Sequence, residues 1–81
     1  MRQVVTTPHQ VGEILRQRRK SRALPQRELA AKLGISQGRL SAIETDPASL
    51  TLARLIAAAK LLGLELVLQD KSSPPARSTD W

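Results

Sequence analysis

The sequence predicts a mainly α fold: four short helices, one C-terminal β-strand that pairs across a dimer, and a polar tail. Three observations predict it. Apolar residues recur at helical spacing in four stretches, each bounded by capping residues. Only Leu64–Gln69 changes to alternation, with Leu64, Leu66 and Leu68 set against Glu65, Val67 and Gln69. After Asp70 no Leu, Ile or Val remains.

Residues 1–7 read as an arm with apolar Val4 and Val5. Thr7–Pro8 is a helix start, with Thr as N-cap and Pro at the first position, and Val11, Ile14 and Leu15 carry the first helix to about Ser21. Pro25 blocks its continuation and opens a second helix with Leu29, Ala30 and Leu33, which stops at Gly34. Ser36 caps a third helix with Leu40 and Ile43 on its apolar face, ended by Asp46–Pro47. Thr51 caps a fourth, whose expected buried stripe is Leu52, Leu55, Ile56, Ala59 and Leu62, and Gly63 closes it. Residues 8–70 therefore form one domain. Residues 71–81, with Ser72, Ser73, Pro74, Pro75, Ser78 and Thr79, cannot bury enough apolar area to offset ordering and read as a flexible tail.

Eighty-one residues make a small domain with a thin core. It has no Cys and one His, His9, so neither disulfides nor a Cys- or His-rich metal site can reinforce it; no cofactor is expected. Small domains without such supports often oligomerise. Met1–Gln10 lacks the apolar run of a signal peptide, and no apolar stretch approaches the ~20 residues that span a bilayer, so a cytoplasmic protein with no membrane partner is expected. An enzyme is excluded on inventory: His9 is isolated, the acids are scattered, and no nucleophile–base–orienter set can be built.

The net charge of +6 is uneven. His9–Glu44 holds eight basic residues against three acids, whereas Thr45–Asp70 holds two against three. Arg16, Arg18, Arg19, Lys20 and Arg22 crowd into seven residues. Such a patch is either a solubilising surface or the footprint of a polyanion partner.

Gln26–Glu44, QRELAAKLGISQGRLSAIE, decides between them. Counting Gln26 first, the fifth position is Ala30, where two helices approach closely; the ninth is Gly34, which supplies a positive φ; the tenth, fifteenth and eighteenth are Ile35, Leu40 and Ile43, core positions with Leu29 and Leu33. These are the restricted positions of a DNA-binding helix-turn-helix. In that geometry the third helix enters the major groove N-terminus first, presenting Ser36, Gln37, Gly38, Arg39, Ser41 and Ala42. Gln37 suits adenine N6/N7, and Arg39 guanine or a phosphate. Gly38 lets the backbone lie close to the bases, and Ser41 follows Gln37 by one turn. Gln26 and Arg27 suit phosphates at the start of the second helix. The Arg16–Arg22 cluster, Arg19 and Arg22 included, adds attraction to the DNA backbone that weakens with salt.

A lone strand leaves its backbone groups unpaired. Leu64–Asp70 could pair with Val4–Val5 of its own chain or antiparallel with a second copy. The second arrangement is preferred, because it also supplies two recognition helices to two half-sites.

The chain resembles the Xre/Cro helix-turn-helix family, and within it the HipB-type antitoxins. The resemblance lies in TPHQVGEILRQRR, the helix-turn-helix unit, TDPASLTLARLIAAAKLLGLELVL, and a Ser/Pro tail ending in Trp81. It implies a homodimer joined by a small sheet from the C-terminal strands (Leu64, Leu66, Val67 and Leu68), repression of the protein's own operon at palindromic double-stranded operator DNA, and restraint of a HipA-like serine/threonine kinase toxin. It also implies base contacts at Ser36, Gln37, Gly38 and Ser41 and a phosphate contact at Gln26. Two departures matter. Family members often carry Lys at the position of Ser36, so the operator sequence does not transfer, and Thr at that of Pro25, which changes the cap of the second helix. Trp81, the only aromatic residue, reads either as an anchor for that kinase or as an idle terminus. The competing function is a plain Xre-type repressor with no toxin partner. A basic RNA-binding protein fits less well, since no stacking aromatic lies within the folded part.

Overall fold

The computed structural model describes residues 2–71. Four α-helices follow one another: α1 Pro8–Ser21, α2 Gln26–Leu33, α3 Gln37–Thr45 and α4 Leu52–Leu61, with a single 3₁₀ turn at Pro47–Ser49 before α4. Their caps are local. At α1 the Gln10 side chain reaches back, its Oε1 accepting the N–H of Thr6 (2.6 Å) and Thr7 (2.9 Å). Ser36 Oγ accepts from Arg39 N (3.1 Å) and Thr51 Oγ1 from Arg54 N (3.1 Å), as the cap assignments require. Asp46 Oδ1 accepts from Ala48 N (3.2 Å), which turns the chain at Pro47.

Three helices end in one way. Leu24 N donates to Arg19 O, Ile35 N to Ala30 O and Leu64 N to Ala59 O, while the preceding N–H of Ala23, Gly34 and Gly63 closes a shorter turn. This is the Schellman ending, in which the residue before the i−5 donor must be left-handed. Gly34 and Gly63 both have φ 71°, but Ala23 (φ 53°) takes the same conformation against its Cβ. Leu24, Ile35 and Leu64 each then fold back onto the core.

That core is Leu15, Leu29, Ala30, Leu40, Ala58 and Leu62, with Ile43 also buried. Leu33 and Ile35 are only half-buried against it. The α4 stripe differs from expectation: Leu52 (65% exposed) and Ile56 (39%) flank the buried side, and Ala58 lies inside. Helical spacing identifies a face but not its edges, and small side chains bring α4 close to the other helices. Gly12 has a parallel role on α1. A Cβ there would sit 2.6 Å from the Glu44 carbonyl oxygen and 3.0 Å from that of Ile43, so glycine lets α1 rest on the end of α3.

The strand predicted at Leu64–Asp70 forms no ladder within the single chain. Neither does it pair with Val4–Val5, which are 72% and 46% exposed. A side-chain hydrogen bond links arm and segment, Arg2 Nη2 donating to Gln69 Oε1 at 2.5 Å. Leu66, Val67 and Leu68 are exposed, Leu68 at 96%. The alternation is present in the sequence, but among the described residues of one chain no second edge pairs with it. Trp81 and most of the tail lie outside the described residues.

Candidate nucleic-acid interface

Leu40, Ile43 and Glu44 turn one side of α3 into the molecule. Ser36, Gln37, Gly38, Arg39, Ser41 and Ala42 are all exposed. With ~100° between successive residues, Gly38 and Ala42 lie at the centre of the exposed side, Gln37 and Ser41 on one flank and Arg39 on the other. The helix is thus smallest along its outward midline and polar on either side, the shape that enters a groove with side chains reaching to both walls. Gly38 has no internal reason: a Cβ there would meet nothing within 4 Å, and its φ is not left-handed. An exposed helical glycine costs about 0.5–1 kcal/mol relative to alanine, so close approach of an outside body is the reason the residue type suggests.

The arginine cluster is divided by the helix that carries it. Arg16 and Lys20 share one flank of α1, Arg18 and Arg22 another, and Arg19 faces inward. Arg19 corrects the expectation of a phosphate contact. It is 7% exposed, and each nitrogen of its guanidinium is engaged: Nε and Nη2 donate to Glu44 Oε2 (2.7 Å) and Oε1 (3.1 Å), and Nη1 donates to Leu24 O (3.0 Å). Arg22 is exposed, but its guanidinium occupies the space over Gly63 at the end of α4, beside that of Arg18. Arg18 Nε donates to Leu62 O (2.9 Å), a cation on the last carbonyls of a helix. On the other flank, the Gln17 amide donating to Glu13 (2.9 Å), with Arg16 3.6 Å away, holds the Glu13 carboxyl below its usual range.

Gln26 is half-buried, and its Nε2 donates to Glu44 Oε1 (3.0 Å). Arg27 beside it is exposed. Glu44, 4% exposed, therefore joins α1, α2 and α3 through three hydrogen bonds. Sequence reading gave it no role, because its partners lie 25 and 18 residues away and no local spacing links them. Among the described residues no three His, Cys, Asp or Glu side chains gather as metal ligands, and no helix is long and apolar enough to cross a membrane.

Comparison with known proteins gives a consistent picture. A helix-turn-helix family model matches residues 15–69. An uncharacterized HTH-type transcriptional regulator, y4dL of Sinorhizobium fredii, is 39% identical over 66 residues, covering 82% of this chain and 34% of that protein. The chain thus spans about a third of the length of that relative. Among solved structures, a HipB–O1–O2 complex matches 85% of this chain and 100% of its own at 30% identity and a TM-score of 0.75. A HipA–HipB–O2–O3 complex matches 88% and 100% at 30% identity and a TM-score of 0.77.

Proposed function

The chain belongs to the Xre-type helix-turn-helix family, and from that premise we propose that it is a sequence-specific antitoxin that represses its own toxin–antitoxin operon and restrains a HipA-like serine/threonine kinase. The observation that carries the reading is the match along the whole of a HipB chain seen together with HipA, O2 and O3. In this reading the protein works in the cytoplasm as a homodimer. Gln37 and Arg39 read base edges, with Ser36, Gly38 and Ser41 against the groove. Gln26 and Arg27 hold the DNA backbone, with Arg22 as an outlying cation. Leu64, Leu66, Val67 and Leu68 join the two copies, and Trp81 contacts the kinase.

A plain repressor without a toxin partner is the second reading, favoured by the likeness to y4dL, a transcriptional regulator by name. One experiment separates the two. The protein is expressed with its adjoining reading frames, purified, and footprinted on the DNA upstream of its own gene. Protection together with a co-purifying kinase is the expected result. Protection without a captured kinase leaves the plain repressor, and no protection overturns both.

A further inference from the structure

We propose that Glu44 is a positioning residue for the DNA-backbone contact: it fixes the Gln26 amide so that one N–H is bound inward and the other is presented to a phosphate. The proposal rests on the DNA-binding reading above.

An ionised carboxylate only accepts hydrogen bonds. Glu44 receives three: Arg19 Nε at 2.7 Å on Oε2, and Arg19 Nη2 (3.1 Å) with Gln26 Nε2 (3.0 Å) on Oε1. An amide can ordinarily turn either end to a partner, but toward this one it can turn only its NH₂ group. That choice commits one of the two Nε2 hydrogens and leaves the second directed away from the carboxylate. Gln26 is the first residue of α2 and only half-buried, which leaves this second hydrogen open to an outside acceptor, and the next residue, Arg27, is exposed. A donor and a cation on consecutive residues at the start of a helix suit the oxygens of a phosphodiester, which accept and are negative.

The buried pair also explains what Arg19 does. With 7% exposure and its donors engaged, it balances the charge of Glu44 and acts on DNA only through Glu44 and Gln26. The chain of contacts runs from the core of α1 through the end of α3 to the outer edge of α2. The orientation of the backbone contact is therefore set by the same packing that sets the pose of α3.

The test is a double-mutant cycle read by fluorescence anisotropy on a short mixed-sequence DNA duplex, since a phosphate contact is independent of sequence. In the otherwise native protein, Gln26→Ala weakens binding about tenfold, the worth of a hydrogen bond to a charged acceptor. It leaves the slope of log affinity against log salt unchanged, because glutamine displaces no counterion. In an Arg19→Met/Glu44→Leu background, where the pair is replaced by apolar side chains of similar size, the same substitution costs about twofold or less. An equal loss in both backgrounds overturns the positioning role. No loss in the native background removes Gln26 from the phosphate contact. Absence of duplex binding by the native protein overturns the DNA-binding reading itself. Where the double replacement does not fold, NMR of the native free protein decides: one Gln26 Nε2 proton slow to exchange and one fast is expected, and two equally fast protons refute the proposal.

Discussion

The helix-turn-helix unit and the segment that follows α4 solve the same problem with opposite resources. In Gln26–Glu44 the special backbone positions are answered inside the chain: Gly34 takes φ 71°, Ser36 caps α3, and Glu44 ties the unit to α1. In Leu64–Asp70 the apolar residues alternate as on a half-buried strand, but Leu66, Val67 and Leu68 stand exposed and no ladder forms. The first region is complete as a monomer. The second has the pattern of a half-structure, and the difference shows that apolar alternation specifies a strand only when a second edge is available.

The largest expected effect breaks that contrast. On the proposed dimer, Leu66→Lys places two ammonium groups in the shared sheet and removes two buried leucines. At about 2–3 kcal/mol each, dimer affinity falls by on the order of a thousandfold. Analytical ultracentrifugation should then find monomers whose helical circular dichroism is unchanged. A dimer of native strength would remove the segment from the interface.

Gly12→Ala acts on the complete region instead. The new Cβ meets two backbone carbonyls that cannot rotate away, so α1 and α3 must separate, at a cost of about 2–3 kcal/mol in thermal unfolding. A change below about 0.5 kcal/mol would mean that the α1–α3 approach is looser than the structure has it. Gln37→Ala tests the surface that this approach positions. A loss of about 1–3 kcal/mol on operator DNA, with binding to unrelated duplex preserved, is expected of a base-reading side chain. Equal losses on both DNAs would reassign Gln37 to the backbone.

What was legible in the sequence divides along the same line. The helix ends were legible because their causes lie within four residues: Thr7–Pro8, Gly34, Ser36, Thr51 and Gly63 each act on their immediate neighbours. Ala23 was not, since nothing marks an alanine for a left-handed position that Leu24, by packing inward, imposes on it. The exposed set on α3 followed from periodicity once Leu40 and Ile43 were placed inside. By sequence alone Arg19 is one more cation in a basic run. Its burial depends on Glu44, a partner 25 residues away, and no charge count carries that information. The flanks of α4 were lost for a related reason. Leu52 and Ile56 fit the helical period as well as Ala58 does, and only the neighbouring helices decide which of them is covered.

The smallest effect is also the most discriminating. Gly38→Ala and Ala23→Gly exchange the same two residue types at sites where the fold asks opposite things. Ala23 sits at φ 53°, so glycine there relieves backbone strain and should raise stability by about 0.5–1 kcal/mol, with DNA binding unchanged. Gly38 sits in open space on a regular helix, so alanine there should raise stability by a similar amount on propensity alone. At position 38, however, the added methyl lies on the midline of the surface that faces the groove, and operator affinity should fall as stability rises. Calorimetry and an operator-binding isotherm on the two variants would show whether stability and affinity part company only at position 38. If Gly38→Ala gains stability and keeps full affinity, the outward face of α3 does not approach DNA along its midline, and Gln37 and Arg39 must reach the bases from a helix held further out.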